Sequence, residues 1–393
     1  MSAAGTSPAD NPRRQHMIIR SVDVVKVRVP LSRPYVMSRG PTYFFENLLV
    51  RVHGDEGAVG LGETASLTVV GDVDAVSRIL REAMIPKILG MDSFDMEAIV
   101  ERLAPANSTD LWATAAIDLA LWDLNGKALG LPAYRLLGGL YQREMPVDYT
   151  LGEDSPEGMA TRALEMMEEG GFSAFCVKIG GGNELATDVA RIRAVRDAVG
   201  KDVRIRADAN GGFDANGAIK LMRAIEPYDL EFVEQPVPRG DFEGLKEVAA
   251  AVDVPISVDE GLRHLSDAFA LAETGAVKVF NIKVPKCGGL LLSKKIAAVA
   301  KSAGIATICG GATALEVIRQ ASRHFTASTA LGSGKLAHEG PGPASQSLMG
   351  NVTRRVVTYA DVKRLQGHVE VTDEPGLGVE EDVESVTRYA VSA

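Results

Sequence analysis

Five short apolar runs in the middle of the chain each end in a charged residue, namely FCVK (175–178), VRIRAD (203–208), LEFVE (230–234), PISVD (255–259) and VKVFNIK (277–283). The charged ends follow one another at intervals of 24 to 30 residues. This is about the length of one strand, one helix and two loops. In a (β/α)₈ barrel, the C-terminal strand ends meet at one mouth and carry the chemistry. The pattern therefore predicts an α/β fold, a barrel of the TIM type, with these five residues at its mouth.

The rest of the chain divides into segments that differ in polarity and in strand or helix periodicity. Residues 1–16 are polar and lack the apolar core of a signal peptide, so we expect a disordered extension. Residues 17–145 start with three alternating segments, a predicted three-stranded meander, and continue with helical periodicity, which indicates an α+β capping domain. Strands and helices alternate over 146–350, the predicted barrel. Residues 351–393 lose this alternation and are expected to pack back on the capping domain.

The composition restricts the class of protein. The chain has 393 residues, of which 46% are apolar and 24% charged, with a net charge of −10, which suits a globular protein of two domains. The acidic balance argues against nucleic acid or an acidic membrane surface as the partner. No apolar stretch is long enough to span a membrane, and the 3 scattered cysteines favour a reduced, cytoplasmic setting. We expect a homo-oligomer that acts on a small molecule.

Asp208, Glu234 and Asp259 predict a metal site. They end successive strands, and none has a Cys or His at a matching position. Carboxylate oxygens are the ligands that Mg²⁺ prefers, with Mn²⁺ as the alternative. Brought close together, these carboxylates would repel one another unless a cation lay between them. The alternative for each carboxylate is a helix-capping role.

Lys178 and Lys283 flank the carboxylates and are candidate bases. A partly desolvated lysine near a divalent cation has a lowered pKa and can take a proton near neutral pH. Two lysines on opposite sides of the mouth would suit removal of a proton on one face and its return on the other. The alternative is a salt-bridging role. A Schiff-base aldolase would need one lysine and no metal, and a catalytically silent binding protein would need neither.

The motifs that carry these residues resemble the enolase superfamily, in its muconate-lactonizing-enzyme subgroup. They are CVKIGGG (176–182), RADANGGFD (206–214), EFVEQPV (231–237), SVDEG (257–261) and NIKVPKCGG (281–289). The resemblance covers about residues 17 to 380 and implies a modified barrel with a capping domain. It implies that Asp208, Glu234 and Asp259 bind Mg²⁺ and that Lys178 and Lys283 are the acid/base pair. Asn210 would lie beside the ligands and contribute to substrate binding.

Cys176 departs from the pattern of this superfamily. The second-strand motif is usually Lys-x-Lys, whereas this chain has Cys176-Val177-Lys178. The base is kept, but the first lysine, which helps to hold the substrate carboxylate or to tune its neighbour, is absent. Cys176 takes this place among the candidate substrate-binding residues, either as a small buried side chain that fills the space or as a nucleophile.

The remaining candidates concern the substrate. Glu339, in HEGPGP (338–343), resembles an acidic residue of muconate cycloisomerases at the end of the eighth strand. The Asp-x-Asp pair by which dipeptide epimerases bind an α-ammonium group is absent from that position. Two loops, Tyr35 to Phe45 and Thr64 to Gly71, are expected to close over the mouth, and Tyr43 would contact the substrate.

These features predict an Mg²⁺-dependent enzyme that forms an enolate next to a substrate carboxylate. The favoured reaction is lactone-forming cycloisomerisation of a muconate-like dicarboxylate. Racemisation or epimerisation of an amino-acid or proline derivative and dehydration of a hydroxy acid are the alternatives within the same superfamily.

Overall fold

An antiparallel three-stranded sheet forms the N-terminal part of the protein. The computed structural model describes residues 16–37, 40–65, 73–182, 184–331, 336–340 and 348–391. The sheet has the order β1-β2-β3 and comprises β1 (Ser21–Met37), β2 (Gly40–His53) and β3 (Val59–Thr64). The predicted meander is confirmed. Its buried face contacts the helices that follow in the chain.

The first predicted lid segment is not an irregular loop, because its described residues belong to the β1–β2 hairpin; its closure over the mouth stays a prediction. Tyr35 pairs with Thr42 and Met37 pairs with Gly40. The prolines suggested a loop, but the register shift between Pro30 and Tyr35 accommodates the irregular stretch, and proline is tolerated at bulges and hairpin ends. Most of the second predicted lid loop, its residues 66–71, lies outside the described residues.

Helices cover one face of this sheet. They are α1 (Val73–Arg78), which continues through a π-helical segment (Ile79–Met84) into α2 (Ile85–Ile88), then α3 (Met96–Leu103), α4 (Ser108–Leu129) and α5 (Ala133–Leu136). Helix α4 begins where the Asn107 side chain accepts hydrogen bonds from the first turn, and it ends at Gly130, whose φ of 65° is left-handed. In the described part of the chain, no helix is both long and apolar enough to cross a membrane.

Close contact between β3 and α4 joins the sheet to the rest of the protein. A Cβ atom at Gly60 would lie 2.0 Å from the Ala120 carbonyl oxygen, and one at Gly62 would lie 2.0 Å from that of Ala116. Only glycine allows the strand to approach the helix backbone this closely. Helix α4 is buried along most of its length because it also contacts the barrel.

Eight parallel strands curl into the predicted barrel. They are β4 (Glu144–Leu151), β5 (Ala174–Lys178), β6 (Arg204–Asp208), β7 (Val233–Glu234), β8 (Ile256–Val258), β9 (Val279–Ile282), β10 (Ala306–Cys309) and β11 (His338–Glu339). Their order is β10-β9-β8-β7-β6-β5-β4-β11. The intervening helices are α6 (Pro156–Gly170), α7 (Leu185–Val199), α8 (Ala215–Ile225), α9 (Phe242–Ala251), α10 (Leu265–Thr274), α11 (Leu290–Ser302) and α12 (Glu316–Ala327).

A side chain joins the two ends of this sheet. The Cys309 backbone N–H on β10 donates to His338 Nδ1 on β11 at 3.0 Å. Burial, together with the positive charges of Arg206 and Arg204, lowers the pKa of His338 to about 3, so the ring is neutral and its nitrogen can accept. Among the described residues, β10 and β11 are not paired through backbone hydrogen bonds, so the His338 imidazole provides the contact that closes the barrel between them.

The C-terminal segment contacts both parts of the protein. Strand β12 (His368–Glu370) pairs with β4, and helix α13 (Tyr359–Arg364) contacts α6 of the barrel. Helix α14 (Val383–Tyr389) packs its Val386 against Val27 and Val29 of β1. The segment expected to pack on the capping domain therefore also covers the first barrel strand.

Candidate active site

The barrel strands bring the predicted charged residues together at one edge. Lys178 is paired in register with Asp208, and Asp208 with Glu234. Asp259 directly follows β8, and Lys283 directly follows β9. Because parallel neighbours end at the same edge, the five side chains lie in a row across consecutive strands.

Lys178 occupies one end of this row. Its amine contacts Asp208 Oδ2 and donates to Asn210 Oδ1 at 3.0 Å. The Asn210 backbone N–H donates to the other oxygen of Asp208 at 2.9 Å. The Asn210 backbone is left-handed, with φ of 45°, a conformation that asparagine tolerates better than most residues.

Lys283 and Lys286 occupy the other end and share one carboxylate. Lys283 Nζ lies 2.9 Å from Asp259 Oδ2, and Lys286 Nζ lies 2.6 Å from Oδ1. Burial alone would raise the pKa of Asp259, but the two ammonium groups outweigh it and hold that pKa below its usual range. Asp259 is therefore ionised, with a cation on each oxygen.

Glu234 lies in the middle of the row and is buried. Its Oε1 accepts a hydrogen bond from Asn281 Nδ2 at 2.9 Å. Burial and the negative charges of Asp208 and Asp259 raise the pKa of Glu234 well above its usual value. Glu260, which follows Asp259, also has a raised pKa, from burial and the same two carboxylates.

Four carboxylates, Asp208, Glu234, Asp259 and Glu260, lie beside three lysines in this site. Lysines neutralise the outer carboxylates, whereas Glu234 and Glu260 have raised pKa values. Among the described residues, Asn281 Oδ1 and Glu260 Oε2 are buried oxygens without a hydrogen-bond partner. Oxygen donors and an excess of carboxylates over lysines fit a hard divalent cation. Over the same residues, no group of three or more acidic, histidine or cysteine side chains is gathered closely enough to hold a metal ion.

The other predicted site residues are placed differently. Cys176 is buried, and burial together with Asp208 raises the pKa of its thiol, so the structure favours the space-filling alternative over the nucleophile. Tyr43 lies on β2 of the N-terminal sheet, not on a barrel strand, and 60% of its surface is exposed. Glu339 is on β11, but its side chain lies outside the described residues.

Three side chains in the site were missed by the sequence reasoning. Lys286 lies one helical turn beyond Lys283, and Asn281 lies two residues before it on the same strand face. The alternation of strand β9 could have indicated Asn281. Glu260 gave no such signal, because a residue directly after a strand-end ligand would be expected to point away from it.

Comparison with known proteins identifies both parts of the chain. The family described as mandelate racemase / muconate lactonizing enzyme, N-terminal domain, matches residues 19–138. The family described as enolase C-terminal domain-like matches residues 158–386. Together they cover the antiparallel sheet with its helices and almost the whole barrel, including every residue of the row.

Individual relatives include two kinds of isomerase. The chain is 35% identical to an L-Ala-D/L-Glu epimerase of Bacillus subtilis over 316 residues, 79% of this chain and 86% of that protein. It is 32% identical to muconate cycloisomerase 1 of Rhodococcus opacus over 381 residues, 94% of this chain and 98% of that protein. The solved dipeptide epimerase of Enterococcus faecalis, complexed with Mg and L-Leu-L-Tyr, superposes with a TM-score of 0.85 at 31% identity, covering 93% of this chain and 100% of that one. The chain belongs to the enolase superfamily, in the subgroup of the muconate-lactonizing enzymes.

Proposed function

We propose that the protein racemises or epimerises the carbon next to a substrate carboxylate, with Lys178 and Lys283 as its two bases. The observation that carries this proposal is their symmetric placement. Each amine contacts a different carboxylate at opposite ends of one row, and the side chains are 24% and 19% exposed. Both amines can therefore be reached from the mouth. A reaction that needs a proton donor and a proton acceptor on opposite faces uses both.

In the proposed reaction, each lysine moves one proton. The neutral amine of one lysine takes the proton from the α-carbon, and the electron pair of the broken C–H bond moves into an enolate. The ammonium of the other lysine returns a proton to the opposite face, which inverts the configuration. The protein is unchanged after two opposite turnovers, so no oxidant or reductant is needed.

Asp208, Glu234 and Asp259 would hold Mg²⁺, or Mn²⁺, in this proposal. Their oxygen donors and the excess of carboxylates over lysines support a hard cation. When bound, the cation supplies stabilisation of the negative charge that develops on the substrate carboxylate. A cation would also take over part of the charge compensation that the lysines provide to Asp208 and Asp259.

The substrate class we propose is an amino-acid or proline derivative. The relatives above include epimerases that act on dipeptides, which supports inversion at an α-carbon. However, residues 336–345 contain no aspartate, so the Asp-x-Asp pair associated with a free α-ammonium group is absent. We therefore infer a substrate whose α-nitrogen is substituted.

Cycloisomerisation of a muconate-like dicarboxylate is the second candidate. It is favoured by the match to the Rhodococcus opacus enzyme over 94% of this chain and by Glu339 at the end of the eighth strand. It needs proton transfer by one lysine, whereas racemisation needs both.

Incubation with a panel of carboxylates in D₂O separates these candidates. The panel contains N-acylated and N-alkylated amino acids, proline derivatives, dipeptides and muconate, each with Mg²⁺. A racemase incorporates deuterium at the α-carbon, seen by ¹H NMR, and lowers the optical rotation. Lys178→Ala and Lys283→Ala should each lower net inversion by roughly 10²- to 10⁴-fold, while Lys246→Ala, on an exposed lysine, serves as the control. Lactone formation from muconate without inversion of any amino-acid derivative would overturn the proposal in favour of the cycloisomerase.

A further inference from the structure

Asn210 lies between the Glu260 carboxylate and the Lys178 amine and hydrogen-bonds to both. Its Nδ2 donates to Glu260 Oε1 at 2.9 Å, and its Oδ1 accepts from Lys178 Nζ at 3.0 Å. An ammonium group only donates, so it must face the amide oxygen, and this leaves the amide NH₂ facing the carboxylate. The donors and acceptors of the three side chains therefore match in one orientation of Asn210.

The backbone that carries Glu260 is held on both sides. The Gln235 side-chain oxygen accepts from the N–H groups of Asp259 and Gly261, each at 3.1 Å. Arg263 Nε donates to the Glu260 carbonyl oxygen at 3.1 Å, and the same guanidinium contacts Ser108 at the start of α4. The position of Glu260 is therefore set by β7 and by the capping helix together.

The hydrogen bond from Asn210 is the side-chain contact that the structure gives for the Glu260 carboxylate among the described residues. Within the described part of the chain, Oε1 bonds to Asn210, and Oε2 is buried without a hydrogen-bond partner. Glu260 is half-buried, and leaving its buried Oε2 atom without a partner costs free energy, because the Asn210 amide replaces only part of the lost hydration. A residue needed only for packing would be better apolar, so the carboxylate indicates a role in the site.

A lysine amine needs such a support to act on one face of a substrate. Its four-carbon stem is flexible and carries about 2 kcal/mol of rotamer entropy. Here Asp208 and Asn210 approach the amine from two directions. Cys176 leaves the neighbouring strand position without the lysine that the related motifs carry there.

We propose that Glu260 is a positioning residue, which acts through Asn210 to hold the Lys178 amine at one face of the substrate. The proposal rests on the proposed function, since it assigns Glu260 to the Lys178 half of the proton transfer. Loss of the bridge should slow proton exchange at the face served by Lys178, while the face served by Lys283 keeps its rate.

Face-specific exchange tests this assignment. With a substrate from the panel, each enantiomer is incubated in D₂O, and Lys178→Ala and Lys283→Ala establish which enantiomer depends on which lysine. Glu260→Leu and Asn210→Ala should each slow the Lys178-dependent exchange by roughly 10- to 100-fold, the loss expected from a misplaced group. Glu260→Gln keeps an acceptor and should restore that rate. The double variant Glu260→Leu/Asn210→Ala should be no slower than either single variant, because both break the same bridge.

A chemical readout tests the bridge without any substrate. Limited acetylation by acetic anhydride, followed by peptide mass spectrometry, measures the labelling rate of each lysine. In Glu260→Leu and Asn210→Ala, Lys178 should be labelled several-fold faster relative to the exposed Lys246, and in Glu260→Gln it should stay near the wild-type rate. Unchanged Lys178 labelling in both bridge variants, or equal slowing at both substrate faces, would overturn the positioning role. If no panel compound exchanges with the wild-type enzyme, the proposed function fails while the labelling still decides the bridge.

Discussion

Lys286 holds Asp259 through its side chain and its main chain together. Its Nζ donates to Oδ1 at 2.6 Å, to the Asp259 carbonyl oxygen at 2.5 Å and to the Asn281 carbonyl oxygen at 3.1 Å. All three N–H donors of this buried ammonium are used. Asp259 therefore keeps the positive charge of Lys286 beside it even when Lys283 loses its proton. Lys286 has a structural role, whereas Lys283, three residues earlier, is the candidate base.

The first prediction concerns this structural lysine. Lys286→Met should lower the free energy of unfolding by about 3 to 5 kcal/mol, since it leaves a buried carboxylate with one partner fewer. Urea denaturation at pH 7 measures the change. Lys246→Met is the matched control, because Lys246 pairs with an exposed glutamate and should change stability by less than about 1 kcal/mol. Equal effects of the two substitutions would contradict the buried-pair interpretation.

The second prediction concerns metal binding. Titration calorimetry of the chelator-treated protein with Mg²⁺ should show one binding event, which Glu234→Gln weakens strongly because the central carboxylate loses its charge. At 100 times the dissociation constant, Mg²⁺ should raise the free energy of unfolding by about 2.7 kcal/mol. Glu243→Gln changes an exposed carboxylate and should leave both values as in the wild type. Full activity of the metal-free protein would refute the predicted ligand set.

The third prediction concerns acid sensitivity. His338 has a pKa of about 3 in the folded protein, against about 6.5 in an unfolded chain. The unfolded state then binds more protons between these values, so this histidine stabilises the fold fully above pH 6.5 and progressively less as the pH falls. At pH 5 the loss is about 2 kcal/mol. His338→Gln, which keeps an acceptor for the Cys309 N–H, should flatten the dependence of unfolding free energy on pH between 6.5 and 4.

The fourth prediction concerns the space beside Lys283. A Cβ atom at Gly310 would lie 2.2 Å from Asn281 Oδ1 and 2.8 Å from Lys283 Cε. Gly310→Ala should therefore displace both side chains and lower turnover by roughly 10²-fold. Gly217→Ala in helix α8 is the control, since helix propensity favours alanine there and the nearest atom, at 3.1 Å, is the end of the Asp214 side chain. An alanine at position 310 with wild-type turnover would show that this space is not needed.

The barrel could be predicted because the sequence pattern that indicates it lies within single strands. Five of the eight barrel strands contain an apolar run that ends in, or is directly followed by, a charged residue at a regular interval, so the positions of Lys178, Asp208 and Glu234 follow from the pattern and from the geometry of parallel strands. The β1–β2 hairpin was misinterpreted for the same reason. Its prolines and glycine look like a loop locally, whereas the pairing of Met37 with Gly40 is a contact between two strands.

The fold class, the capping sheet, and three carboxylates and two lysines at the barrel mouth could be predicted from the sequence, because they depend on periodicity and on the residues that end the strands. The pairing of those side chains is visible only in the folded protein. Lys286 on Asp259, Asn210 between Glu260 and Lys178, and His338 closing the barrel are contacts between residues on different strands or turns. Such contacts depend on side-chain direction, burial and the matching of donors with acceptors, which become defined only once the barrel has closed.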